Sequence, residues 1–222
     1  MPRAPRNIAA GICYHVLNRG NERRPIFRKA RDYEAFLEIL TEALRRFDVE
    51  LLCWCLMPNH WYLVLRPRSA KALAAFMRWL SVTHVRRHHE HYHSDGGHLY
   101  QGRYKSFPVE EDEYFLVLCR YIEANALRAS LVELAEQWAW SSLSQRIKQI
   151  AYPPMREWPV EQPRLWVQIV NEAMPTKQAE QVRTSIARDR PLGSEPWTRK
   201  IAARLGLQQT LRPRGRPQKP LS

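Results

Sequence analysis

Apolar positions fall along this 222-residue chain either in short runs or at helical spacing, and the switches between them mark its elements. Residues 11–18 (Gly-Ile-Cys-Tyr-His-Val-Leu-Asn) predict a strand. From 30 to 47 the spacing changes, and Phe36, Leu37, Leu40, Leu44 and Phe47 fall on one helical face. Residues 49–56 and 60–66 predict two strands joined by a Met-Pro-Asn turn. A second helix follows over 69–92, with Leu73, Phe76, Met77 and Leu80 inward, and then a polar loop, Ser94-Asp95-Gly96-Gly97. Residues 103–109 predict a fourth strand. A helix over 111–128 opens on Glu110-Glu111-Asp112-Glu113, acids that suit a helix N-terminus. The order β-α-β-β-α-β-α predicts an α+β chain: a ferredoxin-like split βαβ antiparallel sheet with one added helix.

Beyond residue 150 the periodicity degrades. Pro153, Pro154, Pro159 and Pro163 interrupt any long element, residues 161–187 predict short helices, and 197–206 one more. The expected organisation is a core domain over 1–150 and a Pro-rich helical extension with a basic tail over 151–222. Charge sharpens this division. Residues 1–31 carry eight Arg or Lys against one acid, and residues 183–222 carry ten against two, whereas the long middle is slightly acidic. A net charge of +13 gathered at the two ends favours a polyanionic partner, DNA or RNA. Neither end shows the amphipathic run of a membrane-surface helix, and no 18-residue apolar run predicts a span. The opening Met-Pro-Arg-Ala-Pro-Arg has no apolar stretch, so no signal peptide is expected. Cys13, Cys53, Cys55 and Cys119 all lie in apolar segments and predict buried, reduced thiols of a cytoplasmic protein.

Two segments carry candidate chemistry. In Met57-Pro58-Asn59-His60-Trp61-Tyr62, strand alternation sends His60 and Tyr62 to the same side. In Cys119-Arg120-Tyr121-Ile122-Glu123-Ala124-Asn125, helical spacing puts the Tyr121 phenol and the Asn125 amide on one face. A phenol needs activation to attack a phosphate, which a divalent metal supplies by polarising the phosphoryl group. Taken singly, Tyr121 also reads as a core tyrosine beside Tyr114, Val117 and Leu118, and His60 as a histidine bonded to backbone at a turn. His84 and His88 have a zinc-like i, i+4 spacing, but no acid is placed to serve as base. With Arg86, Arg87, Arg103 and Lys105 nearby, they read rather as a basic rim for phosphates. Arg212, Arg214 and Arg216 sit in Leu211-Arg212-Pro213-Arg214-Gly215-Arg216-Pro217. This tail reads either as a disordered basic segment or as an AT-hook-like strand for a narrow minor groove.

The segments Tyr14-His15-Val16-Leu17-Asn18-Arg19-Gly20, Met57-Pro58-Asn59-His60-Trp61, Gln101-Gly102-Arg103-Tyr104-Lys105-Ser106, Arg120-Tyr121-Ile122-Glu123-Ala124-Asn125-Ala126-Leu127-Arg128-Ala129 and Trp140-Ser141-Ser142 occur in this order. Together, over about residues 8–145, they resemble the REP-associated tyrosine transposases, a branch of the single-tyrosine HUH transposases. The resemblance implies a metal-dependent enzyme that nicks and transfers single-stranded DNA at palindromic repeats folded into hairpins. It implies a 5′-phosphotyrosine intermediate and no nucleotide cofactor. It places the nucleophile on Tyr121 and ligation of Mg2+ or Mn2+ on His60, Tyr62 and Asn125. The chain departs at Tyr62, where the family usually has histidine, and at Ala126, where it often has proline. Arg19, Arg23 and Arg24, with the arginines and lysine above, are the candidate DNA contacts. Two rivals stand beside this reading: a DNA-binding protein that has lost its metal site, and an RNA-binding module, for which the aromatic strand signature is missing. Monomer and dimer both remain open.

Overall fold

The computed structural model describes residues 7–93 and 96–212. Four strands, β1 (Cys13–Arg19), β2 (Val49–Met57), β3 (His60–Pro67) and β4 (Lys105–Val109), form one antiparallel sheet in the order β2-β3-β1-β4. This is the ferredoxin-like arrangement, and each strand lies within two residues of its expected bounds. The two-residue Pro58-Asn59 turn sets Met57 opposite His60. β1 then pairs with β3 so that Arg19 lies opposite His60 and Leu17 opposite Tyr62.

Because side chains alternate along each strand, the sheet separates two apolar layers. Tyr14, Val16, Trp61, Leu63 and Leu65 face α1 (Ala30–Arg46) and α2 (Ala72–Tyr92), which supply Phe36, Leu40, Phe76 and Leu80. Cys13, Leu17, Cys53, Cys55, Tyr62, Val64 and Phe107 face α3 (Glu113–Glu123), which supplies Phe115, Leu118 and Ile122. The Asp112 carboxylate caps α3 by accepting from the Tyr114 amide at 2.8 Å. All four cysteines are buried and unpaired.

One expected helix is broken. In place of a continuous helix over 111–128, α3 stops at Glu123 and a single turn, α4 (Asn125–Arg128), begins after Ala124, whose ψ is 6°. A second difference concerns His84. It is a core histidine rather than a rim residue, bonded through Nδ1 to the Tyr100 hydroxyl (2.5 Å), which also accepts from Trp61 Nε1 (3.0 Å).

The C-terminal segment holds helices α5 (Ser142–Ile147), α6 (Trp166–Asn171), α7 (Thr176–Arg188) and α8 (Glu195–Leu205). It covers both open edges of the sheet, where unpaired backbone would otherwise invite another chain. Along β2, the Leu56 amide donates to the Trp140 carbonyl, the Leu51 carbonyl accepts from the Arg156 amide, and the Leu52 carbonyl accepts from Trp158 Nε1. Along β4, the Leu192 amide donates to Pro108 O, and the Glu110 amide donates to Leu192 O. Trp166, Val170, Val182 and Leu192 join the apolar layer on the α3 side.

His15 on β1 is fully buried between Tyr62 and Phe107, with both ring nitrogens unbonded. Burial lowers its pKa to about 3, against 6.5 in an unfolded chain, because nothing there stabilises the imidazolium. The unfolded chain therefore binds the extra proton. Stability is complete above about pH 6.5 and is lost as pH falls towards 3, by about 1.4 kcal/mol per pH unit. Urea unfolding between pH 7 and pH 4.5 is expected to show a slope steeper than this in wild type, because burial also lowers the pKa of His60 and His84, and His15→Leu should reduce it by about this amount. An unchanged slope would exonerate His15.

Candidate active site

The α3 side of the sheet, at the start of β3, gathers the residues singled out from the sequence. His60 is the first residue of β3, and Tyr62 lies two residues on with its ring 4.9 Å from the imidazole. Tyr121, in the last turn of α3, places its ring 6.3 Å from Tyr62. Asn125 begins α4, and its Nδ2 lies 3.0 Å from His60 Nε2. Residues from β3, α3 and α4 thus converge although 65 positions separate His60 from Asn125.

Arg128 locks this cluster and was not anticipated as a site residue. Its guanidinium lies 4.0 Å over the Tyr121 ring, donates through Nη1 to the Tyr121 carbonyl at 2.6 Å, and donates through Nη2 to Asn125 Oδ1 at 3.2 Å. The carbonyl of Tyr121 is one of the acceptors left open where α3 ends, and a cation there also suits the negative end of the helix. Guanidinium can only donate, so the oxygen of the Asn125 amide must face Arg128 and its NH2 must face His60. His60 is therefore neutral, with Nε2 accepting from Asn125 and Nδ1 donating to Asn59 Oδ1 at 2.6 Å. Burial, then the charges of Arg19 and Arg128, hold its pKa down to about 4. Burial likewise pushes the Tyr62 phenol well above its usual range, so it stays protonated.

These donors do not fit a magnesium or manganese ion as they are arranged. Such ions favour anionic oxygens, several at once. Here the imidazole lone pair is met by an amide donor, the amide oxygen is taken by a guanidinium, and the phenol keeps its proton. Among the described residues no group of three or more His, Cys, Asp and Glu is placed to hold a metal ion. Glu123, the acid nearest in sequence, is spent elsewhere. One oxygen accepts from Ser142 Oγ and Arg146 Nη2, and the other from Trp166 Nε1 at 2.7 Å.

The candidate DNA contacts divide. Arg19 is exposed directly across the sheet ladder from His60. The loop 20–27 wraps the Pro58-Asn59 turn: the Ile26 and Phe27 amides donate to Pro58 O, and Asn59 Nδ2 donates to the Arg23 carbonyl at 3.1 Å. Gly20 permits this wrap, since a Cβ there would collide with the Arg24 carbonyl. Arg23 and Arg24 therefore stand exposed beside His60, Arg24 in an ion pair with Glu22 at 2.5 Å. By contrast, Arg86 and Arg87 ride on α2, on the opposite layer, with Arg87 paired to Glu38 at 3.2 Å. Lys105 Nζ donates to the Ile186 carbonyl at 2.7 Å and lies 3.8 Å from Asp189, so α7 engages it. Arg103 and Arg212 are exposed, and Arg214 and Arg216, with the AT-hook-like segment, lie outside the described residues.

Residues 9–125 match the family profile described as "Transposase IS200 like". The chain belongs to the IS200-like transposase family. An IS200-like transposase is a DNA-processing enzyme; His60 and Tyr62 lie near the middle of the matched region, Tyr121 and Asn125 at its C-terminal end, and Arg128 just beyond it. The fold is similar to that of a REP-associated tyrosine transposase solved bound to a REP hairpin. The TM-score is 0.55 at 12% sequence identity, covering 79% of this chain and all of that one. A provisionally assigned transposase from Deinococcus radiodurans R1 is 20% identical, with a TM-score of 0.40 over 55% of this chain and 96% of that one. No curated protein matches the chain. Among the described residues of this IS200-like transposase, no helix is long and apolar enough to cross a membrane.

Proposed function

We propose that the chain nicks single-stranded DNA beside a folded hairpin and transfers the cut strand through a phosphotyrosine on Tyr121. The observation that carries this reading is the convergence of Tyr121, His60, Asn125 and Arg128 at one end of the sheet, rimmed by exposed Arg19, Arg23 and Arg24. The neighbour solved with a REP hairpin supports the choice of a hairpin as substrate.

In the first step a bond forms between the Tyr121 hydroxyl oxygen and phosphorus, and the bond from phosphorus to the upstream 3′-oxygen breaks. The phenol loses its proton, and the departing oxygen gains one to become a 3′-hydroxyl. The 5′-phosphate stays on Tyr121. Attack by a second 3′-hydroxyl reverses the exchange, and because the phosphoester is conserved no nucleotide is consumed. Asn59 and Asn125 hold His60 neutral, and the basic rim seats the backbone of the strand through charge.

A labelled hairpin carrying a single-stranded flank tests the reading. Denaturing gels should show a protein–DNA band of retarded mobility. Hairpin retention on native gels without that band would instead support a protein that binds DNA without cutting it, the reading that Tyr62 at a ligand position favours.

Tyr62→His places a second imidazole beside His60 and removes a phenol that burial keeps protonated. Calorimetric titration with manganese should show affinity rising by at least about tenfold over wild type. Equal affinities would mean that residue 62 does not govern metal binding.

A further inference from the structure

We propose that the Arg128 guanidinium is the catalytic cation of this site, meeting the charge on the scissile phosphate where a divalent ion would otherwise act. The inference rests on Tyr121 being the nucleophile.

Four observations lead to it. First, the site has a positive group fixed to the nucleophile itself, since Arg128 is bonded to the backbone carbonyl of Tyr121 and stacked on its ring. Any shift of α3 that moves the phenol carries the cation with it. Second, two of the five guanidinium N–H groups are used by Tyr121 O and Asn125 Oδ1, which leaves three, and the residue is exposed. A planar fork with free donors matches two phosphate oxygens in a way that a point charge does not. Third, the His60 ring and the Asn125 amide are bonded to each other and to Asn59 and Arg128, and the cationic side chains placed at the site are arginines, Arg128 itself and Arg19 directly opposite His60 on β1. Fourth, the break at Ala124 makes the placement possible. Ending α3 at Glu123 opens the Tyr121 carbonyl, and the single turn of α4 returns Arg128 to it.

The chemistry is that of the step already written, with Arg128 donating to the non-bridging oxygens as phosphorus becomes five-coordinate. It neither gains nor loses a proton. Donors aimed at charge that develops in the transition state act mainly on kcat.

The decisive experiment compares two hairpins. One carries an ordinary phosphate at the cleaved position, and the other a methylphosphonate, which removes the negative charge. On the phosphate hairpin, Arg128→Gln should lower the rate of adduct formation by about 10²–10³-fold, with hairpin affinity changed by no more than about threefold. Arg128→Lys should recover only a small part of this, for want of the fork. On the methylphosphonate hairpin, Arg128→Gln should react within about threefold of wild type. A residue that merely positions Tyr121 would lose equally on both hairpins, and that result overturns the proposal. Wild-type adduct formation should also survive EDTA. Loss in EDTA with recovery in manganese would overturn the proposal while leaving Tyr121 as nucleophile. Absence of any wild-type adduct, with or without metal, would remove the nicking reading and this assignment together.

Discussion

Tyr121→Phe is expected to abolish the covalent protein–DNA band, a loss of at least about 10³-fold, while native-gel affinity for the hairpin stays within about twofold. Only the hydroxyl oxygen is removed. The ring remains to stack beneath Arg128 and beside Tyr62, and Arg128 remains bonded to the backbone carbonyl of residue 121, which the substitution does not touch. Folding stability should change by less than about 1 kcal/mol, because no buried partner is left unsatisfied. Covalent catalysis has no substitute for its nucleophile, so the effect on rate is far larger than any effect on structure. A variant that still forms the adduct at the wild-type rate would move the nucleophile to another residue, and the rates of Arg128 variants would then have to be read against that residue.

The helices were legible because burial follows the helical period there, and the strands because short apolar runs, buried almost throughout, are bounded by turns. Leu73, Phe76, Met77 and Leu80 read as inward on a helix, and all four are fully buried. The meeting of His60 with Asn125 was legible as a pair of faces but not as a contact. No periodic pattern records that the Pro58-Asn59 turn and the end of α3 reach the same place. Arg128 lies within the Arg120–Ala129 segment, yet the sequence carries no sign of its role. Its role depends on the break at Ala124, and alanine, a strong helix former, gives no local signal of a helix end. Lys105 looked like a phosphate contact because it is basic and near other bases, yet its ammonium is directed to the end of α7. The irregular C-terminal third was the least readable. Its tryptophans donate to backbone at the edge of β2 and to Glu123, and such side-chain bonds follow from tertiary placement rather than from sequence spacing.

Glu123 is where that third of the chain bears on the site. It is fully buried between Tyr121 and Asn125 in sequence, and its carboxylate ties α3 to Ser142 and Arg146 of α5 and to Trp166 of α6. Arg146, its ionic partner, stacks on Trp158 and has two further buried nitrogens without partners, so its charge depends on Glu123. Removing one member of a buried pair leaves an uncompensated charge, which costs about 3–5 kcal/mol. Against a typical total stability of about 5–15 kcal/mol, Glu123→Ala should remove a large fraction of the folding free energy. The double change Glu123→Gln with Arg146→Met removes both charges and keeps an acceptor for Trp166. It should restore most of the loss in urea unfolding, since a buried pair is often replaceable as a unit. The repaired variant should also regain adduct formation with the hairpin, because α3 and Tyr121 are again held. A loss below about 1 kcal/mol in Glu123→Ala would show that water reaches the pair and that the C-terminal segment is not what fixes the end of α3.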